Sequence, residues 1–288
     1  MNGMKTVNME EWVAGARKLG ELELRQAVHI LCRAISESPF LSGCMVMKGG
    51  ILLSILHSSS RYTRDIDFST DAIFEEFDKD AFLRELGARL SEAAAKLNYN
   101  LDCRIQSEKK KPDREGASFP TLEIKIAYAQ KGSPSHLKLL YGNCPTALKI
   151  DFSFNEKTRP VGTLQLPGGQ RILCYRLADI VAEKYRAMIQ QVSRNRTRRQ
   201  DAYDIFRLID GGKLDTAEVK LDILQSLRLK AASRGVDANR LTLRDSGIVE
   251  RSAKDYQLLE DEIQEALPPF KKVYETVRTY YEDLPWQE

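Results

Sequence analysis

The pattern of hydrophobic and polar positions divides the 288 residues into a mixed first half and a helical second half. In the first half, short apolar runs and segments of alternating polarity indicate strands, and apolar positions at a 3.6-residue period indicate helices. The predicted strands are residues 45–47, 64–69, 100–106, 121–129 and 148–154. The predicted helices are residues 9–40 (two helices), 51–57, 77–97, 177–192, 203–209, 221–232, 252–267 and 270–281.

This layout predicts the α/β (α+β) fold class, with a mixed sheet flanked by helices and followed by an all-helical C-terminal domain. Residues 158–169 contain two prolines and three glycines and are expected to form the domain boundary. The predicted domains are N-terminal helices over 1–42 that pack on the core, a sheet domain over 43–160, and a helical domain over 170–288. A charged loop is predicted over 108–118.

Composition narrows the class of protein. Hydrophobic residues make up 42% and charged residues 30%, as in an ordinary globular protein, and the net charge of +3 neither requires nor excludes nucleic acid. The five scattered cysteines contain no CxxC pair, which favours reduced thiols over a disulfide framework. The apolar runs are too short to span a bilayer, and the first residues lack a signal-peptide pattern. We therefore expect a cytoplasmic protein with no membrane partner.

The candidate chemistry lies in Lys48-Gly49-Gly50 and, after fourteen intervening residues, in Asp65 and Asp67. On a strand, residues i and i+2 point to the same face, so these two carboxylates repel each other unless a cation lies between them. Hard oxygen ligands suit Mg²⁺, with Mn²⁺ as the alternative. Glycines between a strand and a helix let the backbone approach a phosphate, which the free amides of the helix start can bind.

Each half of this motif has an ordinary explanation when it stands alone. An Asp-x-Asp pair also occurs on solvated edge strands and in sugar-nucleotide glycosyltransferases, and two glycines are usually a turn. A glycosyltransferase would need a doubly wound run of strands and helices ahead of the pair, which this sequence lacks. The order of strand, glycines, helix and Asp-x-Asp strand therefore favours nucleotide chemistry.

The same segments resemble the AbiEii family, the nucleotidyltransferase-like toxins of type IV toxin–antitoxin and phage-defence systems within the polymerase-β-like superfamily. The matching segments are 48–50 with 61–68, the strand of a third carboxylate over 148–152, the helix of a characteristic lysine over 179–187, and an arginine followed by paired aspartates over 198–205. Gln200 departs from the family, which often has lysine or arginine there, and Arg198 or Arg199 is expected to supply that charge. The C-terminal third matches only in being helical.

The resemblance implies a role for each matching residue. Asp65, Asp67 and Asp151 would hold Mg²⁺, Asp151 could also accept the proton of the attacking hydroxyl, and Lys184, oriented by Asp204, would neutralise the β- and γ-phosphates. The residues expected to bind the nucleotide are Lys48, Gly49, Gly50, Ser54, Arg61, Thr63 and Lys184. The residues expected to contact RNA are Arg194, Arg196, Arg198 and Arg199.

The implied activity is metal-dependent transfer of NMP from an NTP to the 3′ end of tRNA, causing growth arrest or phage defence, with an antitoxin as partner. Two alternatives stay open: transfer to a protein or small molecule, and a non-catalytic NTP- or RNA-binding module. At the residue level, Asp151 could belong to an ordinary amphipathic strand, Lys184 could lie beside the core with only its charge in water, and Asp204 could pair with Arg207 three residues on.

Overall fold

The computed structural model describes residues 5–57, 59, 61–158, 161–263 and 265–286. The chain forms two compact units. The first comprises Met1–Ser58 and Thr63–Tyr175, and the second comprises Ser59–Tyr62 and Arg176–Glu288.

The first unit is built on a mixed sheet, which has eight strands among the described residues. The strands are β1 (Lys5–Thr6), β2 (Val46–Lys48), β3 (Asp65–Ser69), β4 (Leu101–Lys111), β5 (Thr121–Gln130), β6 (Ala147–Ser153), β7 (Gly162–Gln165) and β8 (Arg171–Cys174). Their order across the sheet is β1-β7-β8-β2-β3-β6-β5-β4. At the centre, β3 is antiparallel to β2 and parallel to β6, and β6 is antiparallel to β5.

Six α-helices accompany this sheet within the described residues. They are α1 (Met9–Ala14), α2 (Leu19–Ser36), α3 (Pro39–Cys44), α4 (Gly49–His57), α5 (Lys79–Lys96) and α6 (Pro134–Leu140). One face of the central strands is apolar: Phe68 and Phe152 are fully buried, and the ring of Phe82 in α5 stacks on Phe152 with 5.3 Å between centroids. Burial of each such side chain contributes about 1.5–3 kcal/mol. The alternate positions, including Asp67 and Asp151, therefore lie on the opposite, polar face.

The second unit contains helices and no strand within its described residues. Its helices are α7 (Leu177–Gln190), α8 (Arg199–Asp210), α9 (Ala217–Ala232), α10 (Ser246–Ala253) and α11 (Phe270–Glu282), with 3₁₀ turns at Thr242–Arg244 and Tyr256–Asp261. Thr216 and Asp245 cap the starts of α9 and α10 by accepting hydrogen bonds from backbone amides. The core holds the buried ring of Tyr185, whose hydroxyl donates to the Val277 carbonyl at 3.1 Å.

The predicted fold class is confirmed, but several elements differ from their predictions. The predicted loop over 108–118 begins too early, because β4 continues to Lys111 in register with Thr121 of β5. The predicted boundary segment 158–169 contributes instead to the β7–β8 hairpin, which turns through Gly168 and Gly169 at φ values of +86° and +85°. Sequence reasoning missed this hairpin and also α6.

The predicted helix over 252–267 is wrong. Helix α10 ends at Ala253, and Asp255 has left-handed backbone at φ 59°, which interrupts helical hydrogen bonding. Within the described residues, no helix is long and apolar enough to cross a membrane.

Candidate active site

The strand β2 leads directly into α4 through Gly49. This residue has φ +78°, and a Cβ atom placed on it would lie 2.1 Å from Oδ2 of Asp67. Lys48 and Asp67 are Cα partners in the β2–β3 ladder, so the Asp67 carboxylate lies against the first residue of α4. The helix begins two residues before the predicted start at Ile51, which places both glycines in its first turn, where backbone amides lack helical partners.

The three predicted aspartates share the polar face of the sheet. Asp67 and Asp151 are Cα partners on the parallel strands β3 and β6, and side chains in register point to the same side. Asp65 is one strand repeat away, opposite Lys149. The placement of Asp151 on the far side of the sheet, which would have excluded a common site, is not observed.

Glu123 adds a fourth carboxylate, and Asp65, Asp67, Asp151 and Glu123 together form what we call the carboxylate row. Glu123 on β5 is the Cα partner of Asp151, so Asp67, Asp151 and Glu123 follow one another across three neighbouring strands. The alternation of residues 121–129 identified Glu123 as a polar-face residue. Its register against β6 depends on contacts distant in sequence, so no local signal could have placed it beside Asp151.

Lys149 lies among these carboxylates. Its Nζ is 2.9 Å from Oδ2 of Asp151, 3.6 Å from Oδ2 of Asp65 and 3.7 Å from Oε2 of Glu123. Burial alone would lower the pKa of Lys149, but the hydrogen bond to Asp151 and the three negative charges raise it above the ordinary value. Lys111 also forms a salt bridge with Glu123 and lowers the pKa of that carboxyl.

The chemistry of this face fits a hard divalent cation. Neighbouring strands lie about 4.8 Å apart, so carboxylates in register can bind one ion together. Mg²⁺ uses one or two carboxylates and keeps several waters, which matches ligands presented on an open face. In the part of the chain that is described, no three His, Cys, Asp or Glu side chains are grouped closely enough to hold a metal without rearrangement. The ammonium group of Lys149 instead supplies part of the positive charge that offsets the carboxylates.

Three other predicted nucleotide ligands belong to the first unit. Lys48 is buried, with Nζ 3.9 Å from Oε1 of Glu156 and 5.8 Å from the centre of the Tyr175 ring. The Ser54 hydroxyl accepts a hydrogen bond from the Trp12 indole at 3.1 Å. Thr63 is half-buried just before β3. The roles of these residues toward a nucleotide stay predictions.

Lys184 and Asp204 belong to a buried ion cluster in the helical unit. Lys184 Nζ lies 2.9 Å from Oδ1 of Asp201 and 2.7 Å from Oδ2 of Asp204. Arg61 donates to both oxygens of Asp204, from Nε at 2.9 Å and from Nη2 at 3.0 Å. Burial alone would raise the pKa of Asp204, but the charges of Arg61 and Lys184 lower it to about 2. The predicted proximity of Asp204 and Lys184 is therefore present, and Arg61 holds the same carboxylate.

The simple helix pair between Asp204 and Arg207 is not what the structure contains. Arg207 instead forms salt bridges with Asp210 at 3.0 Å and Glu265 at 2.9 Å.

The four predicted RNA-contacting arginines lie between α7 and the start of α8. Arg194 and Arg196 are exposed, whereas Arg198 lies 3.9 Å from Asp201 and Arg199 lies 3.1 Å from Glu262. Partial desolvation and the positive charges of neighbouring arginines, including Arg234 and Arg186, lower the pKa of Arg194. The helical unit thus concentrates positive charge beyond the predicted set.

The site combines two features. One strand enters a helix through a glycine pair, and the neighbouring Asp-x-Asp strand lies beside a strand that carries a third carboxylate. Together they define a protein of the nucleotidyltransferase class. The model of the nucleotidyl transferase AbiEii toxin family, from type IV toxin–antitoxin systems, matches residues 29–282, and the chain belongs to this family. It is therefore a nucleotidyltransferase toxin that uses an NTP, and membership implies an antitoxin partner.

Solved structures show the same fold. The MenT4 nucleotidyltransferase toxin of Mycobacterium tuberculosis has a TM-score of 0.54 at 14% identity, over 96% of this chain and 89% of that one. JHP933 of Helicobacter pylori has a TM-score of 0.51 at 14% identity, over 93% and 92% of the two chains. No curated protein matches the sequence.

Proposed function

We propose that this protein transfers NMP from an NTP to the 3′ end of tRNA in an Mg²⁺-dependent reaction, and that this modification arrests growth. The observation that carries the proposal is the register of β2, β3 and β6. It places Asp67 beside Asp151 and brings the Asp67 carboxylate against Gly49 at the start of α4.

The metal-binding role belongs to Asp65, Asp67 and Asp151, with Mn²⁺ as a substitute for Mg²⁺. A bound ion would neutralise phosphate charge and stabilise the attacking and leaving oxygens. The support is the set of hard oxygen donors on one open face of the sheet.

The remaining steps use side chains and backbone of the chain. The first turn of α4 binds the triphosphate through its amides, and the missing side chain of Gly49 leaves room for the Asp67 carboxylate beside that turn. Asp151 accepts the proton of the attacking tRNA hydroxyl, whose oxygen bonds to the α-phosphorus as the bond to pyrophosphate breaks. Lys184 neutralises phosphate charge, with Asp204 holding its ammonium group by the 2.7 Å contact.

An RNA acceptor is favoured by the basic residues. Exposed arginines close together repel one another, and a phosphate backbone relieves that repulsion while releasing its own counterions. Arg194 shows this repulsion, because the charges of its arginine neighbours contribute to its lowered pKa. The exposed lysines of β4, residues 109 and 111, carry further positive charge in the first unit.

The test is transfer of label from each of four α-phosphate-labelled NTPs to purified tRNA, with and without a chelator. We expect label in tRNA with one or more NTPs, loss of transfer with EDTA, and recovery with Mg²⁺ or Mn²⁺. Asp151→Asn should lower the rate by about 100- to 10,000-fold. Asp113→Asn is the matched control, because Asp113 is an exposed aspartate between β4 and β5, and it should retain the wild-type rate.

Periodate oxidation of the tRNA removes its 3′-terminal hydroxyls and should abolish labelling. Equal labelling of oxidised tRNA would exclude the 3′ end as the acceptor. Label in protein and none in RNA would refute the tRNA proposal, and no label with any NTP would favour a binding module. In bacteria, expression of the wild type should slow growth and expression of Asp65→Ala should not.

A further inference from the structure

We infer that Lys149 is a built-in counter-ion of the carboxylate row, which a divalent cation must displace, and that Glu123 receives the displaced ammonium group. The inference rests on the metal requirement in the proposed function. It assigns two further positioning residues, neither of which contacts the reacting atoms.

The contacts of Lys149 link three strands. Its Nζ reaches Asp151 on its own strand β6 at 2.9 Å, Asp65 on β3 at 3.6 Å and Glu123 on β5 at 3.7 Å. Lys149 precedes Asp151 by two residues, so both side chains leave the same face of the strand. The ammonium group therefore binds two of the three carboxylates proposed to hold the metal.

A divalent ion and this ammonium group compete for those carboxylates at close range. Like charges a few ångströms apart repel, and both cations would compete for the same oxygen lone pairs. The Lys149 side chain is 33% exposed on a flexible stem, so its head group has space to rotate away without disturbing the strand.

Glu123 lies where the displaced group would go. Across the sheet, Asp67 and Glu123 flank Asp151 on opposite sides, so a lysine that turns toward Glu123 moves away from Asp67. Lys111 now shares Glu123, whose side chain is 11% exposed, but the Lys111 side chain is 50% exposed, so its ammonium group can turn to water.

The alternative is that Lys149 forms an ordinary cross-strand salt bridge with little effect on stability or on cation binding. A pair of that kind would not affect cation affinity, whereas a competing counter-ion weakens it. Mn²⁺ binding to the full-length, chelator-treated protein, followed by electron paramagnetic resonance of free Mn²⁺, distinguishes the two without any transfer reaction.

The variants are Lys149→Met, Lys149→Gln, Lys149→Arg and Glu123→Gln, with Lys125→Met as the matched control. Lys125 is the Cα partner of Lys149 on β5 and is exposed, so its replacement removes the same charge from the same face. We expect both uncharged replacements at Lys149 to lower the Kd for Mn²⁺ about 5- to 10-fold. Lys149→Arg and Lys125→Met should change it less than about twofold.

Glu123→Gln removes the receiving carboxylate and should raise the Kd about threefold. In EDTA, the Lys149→Met protein should melt at a lower temperature than the Lys125→Met protein, and Mn²⁺ should raise its melting temperature by more. If Lys149→Met does not fold, the Lys149→Gln protein gives the same comparison.

The inference is overturned if the uncharged Lys149 variants bind Mn²⁺ no more tightly than the Lys125→Met protein. Asp67→Asn separates this failure from failure of the proposed function. If Mn²⁺ binding is lost in Asp67→Asn but unchanged by Lys149 replacement, the counter-ion role of Lys149 is refuted and the proposed metal site is not. Wild-type protein that binds no Mn²⁺, or whose binding ignores Asp67→Asn, refutes the proposed metal site together with the inference.

Discussion

Replacing Gly49 with alanine places a methyl group where the Asp67 carboxylate now lies. The added Cβ would be 2.1 Å from Oδ2 of Asp67, 3.0 Å from its Cγ and 3.2 Å from its Cβ. The first distance is far inside van der Waals contact, so the carboxylate must rotate or the helix start must move. Either change displaces the carboxylate from the helix start.

The loss of stability expected for Gly49→Ala has two parts. The backbone at φ +78° disfavours any residue with a Cβ by about 1–2 kcal/mol. Relief of the overlap with Asp67 adds about 1–3 kcal/mol, as for other insertions into packed surroundings. We therefore expect Gly49→Ala to lower the free energy of unfolding of the first unit by about 2–5 kcal/mol in total.

The effect on activity should exceed the effect on stability. A shift of about 1 Å in a reacting geometry can cost about 100-fold in rate, and the carboxylate cannot avoid a shift of that size. Urea unfolding and the labelled-NTP transfer assay measure the two effects on one preparation. Gly43→Ala is the control: Gly43 lies in α3 with no atom within 4 Å of an added Cβ, and alanine there should be neutral or stabilising by about 0.5–1 kcal/mol.

A double-mutant cycle isolates the free energy of the overlap between the added methyl group and the Asp67 carboxylate. In an Asp67→Ala background the carboxylate is absent, so Gly49→Ala should cost only the backbone part, about 1–2 kcal/mol, leaving a coupling energy of about 1–3 kcal/mol. A coupling energy of zero, or a Gly49→Ala protein with wild-type stability and activity, would refute the close approach on which this reasoning depends.

Two further predictions concern buried charge. Asp204→Ala leaves Arg61 and Lys184 without their shared carboxylate and should lower the free energy of unfolding, measured in urea, by about 3–5 kcal/mol. The control Asp210→Ala, at an exposed helix pair, should lower it by under about 1 kcal/mol. Equal losses in the two variants would contradict the buried cluster. Burial, aided by a nearby arginine, lowers the pKa of His29 to about 4 from its ordinary 6.5, so the unfolded chain takes up a proton first and stability falls as pH drops from 6.5 toward 4. We expect a loss of about 2 kcal/mol between pH 7 and pH 5, which His29→Gln should remove from the pH curve; a curve that His29→Gln leaves unchanged would show that His29 titrates normally.

Local patterns predicted much of the fold and the polar-face positions of the three aspartates, whereas the role of Asp151 was implied by the family resemblance. Alternation found β3, β5 and β6 because one face of each is apolar, and the same alternation assigned Asp65, Asp67 and Asp151 to polar positions. These signals are contained within a single strand, so they need no knowledge of its neighbours.

The missed features depend on partners distant in sequence. The short strands β7 and β8 pair with each other, and β8 also pairs with β2, but the prolines and glycines around them resemble a linker when viewed locally. Lys149 and Glu123 are ordinary polar-face residues until the register across β3, β6 and β5 brings them together. The bidentate bond from Arg61 to Asp204 likewise joins positions 143 residues apart.

The way the carboxylate row is held determines how substitutions in it can be interpreted. The relative positions of Asp67, Asp151 and Glu123 are fixed by backbone ladders, and the opposite face of the same strands is anchored by buried apolar side chains such as Phe68 and Phe152. Replacing a carboxylate on the polar face removes charge but leaves both of those constraints in place. A loss of nucleotidyl transfer in Asp151→Asn, with the melting temperature retained, would therefore report on chemistry at the row and not on the integrity of the sheet.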